Sequence, residues 1–315
     1  MRTYLIKRLL AAAGTLLGVS FLVFSLVRFI PGDPASVVLG EASGTEEQRQ
    51  EIRRQLGVDK PFLTQYALWL SKAVRGDLGA SFTSGAPVTR ELRIRLPVTA
   101  ELALLAFAFA AMIGIPAGVI AATRPGTLSD YLARLAAIVG LSVPGFWIAT
   151  LIVVLPAVSF GWSPPVQYKP LFEDPAANLQ KFIPAAFAIG VALSASVMRM
   201  TRSSLLEVMR QDYIRTARAK GLRERFVVRR HGLRNALIPV VTIMGVQAGA
   251  LLGGAVIIEQ IFSMPGVGRL TFEAIGRRDY TQLQANVLFI GMVFVLINLL
   301  VDLTYAWLDP RISYT

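Results

Sequence analysis

The chain has no cysteine and a single histidine, His231, in 315 residues. Disulfides, thiol nucleophiles and Cys/His metal clusters are therefore excluded. No G-x-x-x-x-G-K-[ST] loop occurs, so the chain cannot hydrolyse ATP by that route. Charge is scarce as well, at 17% of residues, while 54% are hydrophobic and the mean hydropathy is +0.55. A soluble protein of this size carries more charge. The apolar runs do not alternate in short segments, which excludes a transmembrane β-barrel.

Long apolar runs are what the sequence has in their place. A bilayer-spanning helix needs about 20 such residues, and six segments qualify: Leu9–Ile30, Val98–Ala122, Leu132–Phe160, Phe182–Met200, Leu237–Phe262 and Gln284–Leu308. The third is overlong and holds Pro144 and Pro156, so a kink or a partly interfacial end is expected. The basic start, Met1-Arg-Thr-Tyr-Leu-Ile-Lys-Arg, resembles a signal peptide. The run behind it is too long for one and leads to Pro31-Gly32-Asp33-Pro34, so it is read as a retained first helix. The expected architecture is an all-α integral membrane protein with six transmembrane helices and a helical extracytoplasmic loop domain after the first.

Lys/Arg asymmetry orients the chain. From Arg199 to Arg234 there are eleven Lys/Arg against Glu207, Asp212 and Glu224. With the N-terminus inside, the inner segments carry sixteen Lys/Arg, while the two short outer loops carry Lys169, Lys181, Arg269, Arg277 and Arg278. Both termini are therefore expected in the cytoplasm, with the net charge of +12 reflecting orientation and not nucleic-acid binding. The divisions expected are 1–30 (tip and first span), 31–94 (extracytoplasmic loop domain), 95–308 (membrane core, with 201–236 as a cytoplasmic segment) and 309–315 (cytoplasmic tail).

Within the outer loop, Thr45-Glu-Glu-Gln48 fits a capping box and Gly57 suits the end of the helix that follows. Phe62, Tyr66, Trp69, Leu70 and Ala73 form an apolar face at helical spacing, expected to pack on the membrane surface or a neighbouring span. Gly76-Asp77-Leu78-Gly79 reads as a turn. The inner basic segment reads as two helical pieces around Gly221, one of them Ser203–Lys220, with Pro239 near a helix start. It is too long and too well patterned for a mere turn, and its character is that of a docking surface for a soluble partner.

Polar residues inside spans are costly and merit individual reading. Arg28 is expected to snorkel. Glu101, Gln247, Asn298 and Asp302 read first as helix–helix hydrogen-bonding groups. One ionisable group at depth, Asp302, is too few for a proton relay, which weakens an ion-coupled secondary transporter. No nucleophile–base constellation recommends an intramembrane enzyme. Gly245, Gly249 and Gly253 make two overlapping G-x-x-x-G motifs and, with Asn298, are candidate path-lining or helix-packing positions.

Several stretches together resemble the permease subunits of bacterial ATP-binding-cassette importers of the oligopeptide/dipeptide and nickel family. They are Pro31-Gly-Asp-Pro34, Leu56-Gly-Val-Asp-Lys-Pro61, Arg75-Gly-Asp-Leu-Gly79, Asp212-Tyr…Thr216-Ala-Arg-Ala-Lys-Gly221, Arg234-Asn-Ala-Leu-Ile-Pro239, Glu259 to Gly268, Arg278-Asp-Tyr280, Asn298 to Asp302 and Asp309-Pro-Arg311. The resemblance covers nearly the whole chain, and the long outer loop resembles the first, B-type, permease. It implies the type I importer permease fold, a heterodimer with a second six-span permease, two cytoplasmic ATPase subunits and an extracytoplasmic peptide-binding protein. ATP and Mg would bind at those partners, and no cofactor or metal at this chain.

The family's coupling motif, E-A-A-x-x-x-G, corresponds here to Arg215-Thr216-Ala217 followed by Gly221, without the Glu and first Ala. The resemblance thus assigns ATPase coupling to Asp212, Tyr213, Ile214, Arg215, Thr216, Ala217, Arg218, Lys220 and Gly221. Tyr213, Ile214 and Ala217 would supply a small apolar face fitting a partner's cleft, rimmed by Arg215, Arg218 and Lys220. Dipeptides, longer peptides, glutathione and nickel chelates all remain open as cargo.

Overall fold

The computed structural model describes residues 2–29, 45–56 and 59–308, with side chains described for all of these except 2–5, 49, 52, 55–56, 250, 252–254 and 302–308. Pro31–Pro34, Gly57 and Asp309–Arg311 lie outside the described residues, as do the side chains of Gly253 and Asp302. The described elements are α1 (Arg2–Phe29), α2 (Glu46–Leu56), α3 (Phe62–Val74), α4 (Val88–Thr123), α5 (Leu128–Ser142), α6 (Gly145–Phe160), α7 (Pro175–Val208), α8 (Asp212–Ala219), one turn at Glu224–Phe226, a π-helix at Val227–Leu233, α9 (Arg234–Ile261), α10 (Val267–Gly276) and α11 (Tyr280–Leu308).

Among the described residues, four helices are long and apolar enough to cross a membrane: Ile6–Phe29, Val88–Thr123, Pro175–Val208 and Tyr280–Val301. The pair α5–α6 meets the same length and hydropathy only when taken together, and is bent by 94°, as a broken span or a re-entrant loop is. The expected kink is therefore real and sits at Pro144. Val143 is extended (ψ 124°), as a residue before proline prefers, and Pro144 opens α6. Pro156 causes no break, and α6 ends instead at Gly161 in the left-handed region (φ 65°). α9, 28 residues long, occupies the position of the remaining expected span. Pro239 lies inside it, not at its start. Prolines are tolerated in spanning helices where neighbours satisfy the freed backbone groups.

The chain divides into two compact units. The first holds Met1–Val98 and Pro265–Leu299. Here the capping box forms as expected, with the Thr45 amide donating to Gln48 Oε1 (2.9 Å) and the Gln48 amide to Thr45 Oγ1 (3.3 Å). The aromatics of α3 pack on α1. Phe24 lies 5.4 Å from both Phe62 and Tyr66 and 5.6 Å from Trp69, centroid to centroid. Arg28 does not simply snorkel: its guanidinium stacks over Phe24 at 4.4 Å and donates to Gln65 Oε1 at 3.0 Å.

The turn at residues 76–79 also forms, with Gly76 and Gly79 both at φ 84°. Beyond it, Asp279 is a buried hub that accepts from the Ser81 hydroxyl, the Thr83 amide (3.2 Å) and the Gln282 amide (3.0 Å). Asp279, from the Arg278-Asp-Tyr280 stretch, is thus joined to a loop 198 residues away in sequence. Val88 and Leu92 of α4, Val267 and Leu270 of α10 and Ala285 of α11 form the apolar core beside it.

In the second unit, Thr99–Met264 and Leu300–Ser313, α7 is the central helix and packs against α5, α6 and α9. It also meets α4 backbone to backbone, through a G-x-x-x-G pair not singled out above. A methyl on Gly118 would lie 2.6 Å from Thr201 Cβ and 2.7 Å from the Met198 carbonyl, and one on Gly114 would lie 2.7 Å from the Ser194 carbonyl. Such approach is what small residues permit between spans. Gly118→Ala is therefore expected to cost about 1–3 kcal/mol through overpacking. Gly18→Ala, whose added carbon meets nothing within 4 Å, should be neutral. Thermal unfolding of the solubilised protein tests this, and equal midpoints for the two variants would contradict it.

Candidate functional site

The basic segment between α7 and α9 is a compact piece of structure. α7 stops at Val208, and Met209–Gln211 form a turn in which the Arg210 amide reaches Glu207 O (3.2 Å) and the Gln211 amide reaches Val208 O (3.1 Å). Ser203–Lys220 was expected as one helical piece. The structure breaks it here although no helix-breaking residue is present, and the cause is tertiary. The turn redirects α8 so that Ile214 and Ala217 pack on Val227, with Met209 closing the cluster.

Ile214 is fully buried and Ala217 is 7% exposed. The apolar face expected to enter a partner's cleft is therefore mostly used inside the chain. Of the three residues assigned to it, only Tyr213 is free to face outward, at 43% exposure. Asp212, Arg215, Thr216, Arg218 and Lys220 are exposed around it. Asp212 sits in the first turn of α8, where a negative charge favours the helix dipole, and pairs loosely with Arg215 (3.4 Å). The Thr216 hydroxyl donates back to Asp212 O (3.1 Å).

The C-terminal end is held by a turn and a clamp. Gly221 adopts φ +76°, as expected, and its amide donates to Arg218 O at 2.9 Å. Across this turn the Arg218 guanidinium forks onto the Glu224 carboxylate at 3.0 and 2.7 Å. Each partner's hydrogen bond to the other is the main cause of its shift, upward for Arg218 and downward for Glu224. At the near end, Asn235 Nδ2 of α9 donates to the Tyr213 hydroxyl at 2.8 Å. Gly232 then lets the π-helix approach α7, where a methyl would lie 3.0 Å from Leu205 Cδ1 and from Met209 Sδ. α8 is thus an exposed two-turn rod tied to the chain on both sides.

Gly245 is a packing position: a methyl there would collide with Val301 of α11. Gly249 is partly exposed on α9. Asn298 Nδ2 returns to its own helix at Phe294 O (3.0 Å). Gln247 Oε1 is buried without a hydrogen-bond partner among the described residues.

Sequence reading missed three polar links in the second unit. Thr99 of α4 donates to the buried Glu259 of α9 at 2.6 Å. Asp130, 1% exposed, takes a fork from Arg202 (2.8 and 3.1 Å) and the Gly126 amide (3.0 Å), fastening the start of α5 to α7. Lys181 was counted among the outer-loop charges. It is instead fully buried in α7, donating to the carbonyls of Pro165 (3.0 Å) and Val166 (2.6 Å). A helix position facing a loop's carbonyls can hold an ammonium that a charge count assigns to solvent.

Residues 114–314 match the model of the binding-protein-dependent transport system inner membrane component, and residues 1–103 match the N-terminal region of the same kind of membrane component. The chain belongs to this family of transport permeases. The inner membrane component match contains α5 to α9 and so the whole basic segment. Full-length relatives agree. A dipeptide transport system permease protein of Alkalihalophilus pseudofirmus is 39% identical over 334 residues, with both chains fully covered. A putative peptide transport system permease protein of Brucella suis is 43% identical, and a glutathione transport system permease protein of Escherichia coli is 41% identical, each over 314 residues with both chains fully covered. Among solved structures, the MetNI methionine ABC transporter superposes with a TM-score of 0.57 at 20% identity, covering 70% of this chain and 96% of that one. An amino acid ABC transporter gives 0.54 at 16%, covering 70% and 94%. These establish the all-helical permease fold of ABC transporters. This inner membrane component is a transport subunit and not an enzyme.

Proposed function

We propose that this permease forms, with a second homologous permease, the path through which an ATP-driven importer passes di- or oligopeptides delivered by an extracytoplasmic binding protein. Two cytoplasmic ATPase subunits would supply the energy, with ATP and Mg bound there, since this sequence has no phosphate-binding loop of that kind. The observation that carries the reading is α8, exposed at Arg215, Thr216 and Arg218, fastened to the π-helix through Ile214 and Ala217 and to α9 through the Tyr213 hydroxyl. An ATPase gripping that rod moves the spans with it. The role assigned to Asp212–Gly221 thus falls on the exposed residues for contact, and on Ile214, Ala217 and Gly221 for holding the rod in place. Gly249, Gly253 and Asn298 remain the positions offered for the path. Peptide cargo follows the relatives' names, and the glutathione permease among them keeps that peptide-like cargo as the alternative.

The permease sits in the bacterial inner membrane. In the orientation proposed, 31–94 is extracytoplasmic, 201–236 and 309–315 are cytoplasmic, and the core is 95–308. The cysteine-free chain makes this directly testable. Ser84, Ser163 and Ser203 are exposed. Changed singly to Cys, the first two should react with an impermeant maleimide from outside, and Ser203→Cys only after the membrane is opened. Outside labelling at Ser203→Cys would reverse the orientation. For the cargo, a strain lacking the chain should lose uptake of labelled di- or oligopeptides and regain it on complementation. Loss of nickel or glutathione uptake alone would refute the peptide reading.

A further inference from the structure

The π-helix at Val227–Leu233 has a consequence for the basic residues around it. In an α-helix, residues five apart point in well-separated directions, because a turn takes 3.6 residues. In a π-helix the hydrogen bonds run from i to i+5, so residues four and five apart share a face. Arg225, Arg229, Arg230 and Arg234 are spaced four, one and four apart, and each successive pairing across a turn is four or five residues. The wide turn therefore lines up four guanidinium groups that an α-helix would spread around its circumference. All four are exposed, and none takes part in an ion pair with an acidic side chain among the described residues.

Two further observations give this row a setting. It ends at Arg234, the first residue of α9, and no charged residue follows until Glu259. The row thus stands where a spanning helix enters the bilayer. Beside it lies Phe226, 42% exposed, with the Arg230 guanidinium over its ring at 5.6 Å and the His231 ring at 5.9 Å. An aromatic side chain and a row of arginines at a span's end is the composition of a membrane interface site.

We propose that Arg225, Arg229, Arg230 and Arg234 bind the headgroup phosphates of anionic phospholipids. Guanidinium groups take phosphate oxygens in a two-pronged fork, and the spacing of the row suits a headgroup carrying one or two phosphates. Arg234, the first residue of α9, lies nearest the bilayer boundary, and Phe226 lies toward the row's other end, under the Arg230 guanidinium. The row belongs to the lipid and not to a protein partner because it begins beyond the Arg218–Glu224 clamp and leads into the apolar span.

The test uses the whole assembled transporter, purified in detergent and exchanged into nanodiscs of phosphatidylcholine with or without phosphatidylglycerol. Lipid retained through purification is counted by native mass spectrometry, and binding of added phosphatidylglycerol is titrated. An arginine near an anionic surface contributes about fivefold in affinity, so the double variant Arg229→Gln/Arg230→Gln should bind phosphatidylglycerol about thirtyfold more weakly. Arg229→Lys/Arg230→Lys, which keeps the charge, should recover most of that loss. Excess inorganic phosphate should not displace the lipid, because the lipid's acyl chains stay in the bilayer beside α9 and free phosphate has none. Both variants should co-purify with the same complement of subunits. Unchanged lipid binding in the glutamine variant would overturn the proposal. So would loss of an associated subunit with lipid binding intact, since the row would then be a protein interface.

Discussion

Gly221→Val is expected to reduce transport about tenfold or more while the permease still inserts and assembles. The argument is purely conformational. Gly221 sits at φ +76°, and nothing lies within 4 Å of where a side chain would begin. Space is therefore not the constraint. A β-branched residue in the left-handed region costs about 1–2 kcal/mol or more, and each 1.4 kcal/mol is tenfold in population. The turn would relax by swinging α8 away, parting the Arg218–Glu224 fork and exposing the Ile214–Val227 contact. Asparagine tolerates this conformation, so Gly221→Asn should transport nearly as the wild type does. Equal loss in the Val and Asn variants would show that the side chain's presence, and not the backbone angle, matters. Wild-type transport in the Val variant would remove the turn from the coupling account.

Ala217→Asp should be at least as damaging, for a different reason. Ala217 is packed against Ile214, Val227 and Met209, and no donor stands among them to receive a carboxylate. A buried, unpaired charge costs several kcal/mol or must take up a proton instead. α8 should detach from the π-helix, and transport and substrate-stimulated ATP hydrolysis should both be lost. The detachment has its own readout. Trypsin should cut at Arg215, Arg218 and Lys220 much faster in the purified variant. Thr216→Asp adds the same charge on the exposed side and should leave cleavage unchanged. Slow cleavage of Ala217→Asp would mean that this face is not held internally, and would restore the picture of Ile214 and Ala217 as a contact for a partner.

That second case marks the limit of what the sequence made legible. Spacing alone showed that Ile214 and Ala217 share a face of a short helix. It could not show that Val227, ten residues on from Ala217, would take that face. Local chemistry was more readable. Thr45 and Gln48 cap α2 as their spacing predicts, Gly221 takes the left-handed turn, and Pro144 bends the third span. In each case the residue type dictates its own conformation. The aromatics of α3 were legible because α1 offered an apolar neighbour close in sequence. Links between distant residues were not legible. Ser81 to Asp279 and Thr99 to Glu259 join ordinary polar side chains 198 and 160 residues apart. Lys181 was misplaced because a charge count has no access to the carbonyls of Pro165 and Val166. The π-helix had no residue signature at all, and the break at Met209–Gln211 is imposed by packing against the grain of local propensity.

The central claim is that the permease moves cargo with energy delivered through α8 by separate ATPase subunits. The most direct measurement is peptide uptake into proteoliposomes holding the complex co-purified through a tag on this chain, with the binding protein and labelled dipeptide outside and ATP supplied inside. The account predicts uptake that needs lumenal ATP and the binding protein, persists when ion gradients are collapsed, and falls about tenfold or more with Gly221→Val while subunit content is unchanged. Uptake by this chain without ATPase subunits, driven by an imposed proton or sodium gradient, would contradict it.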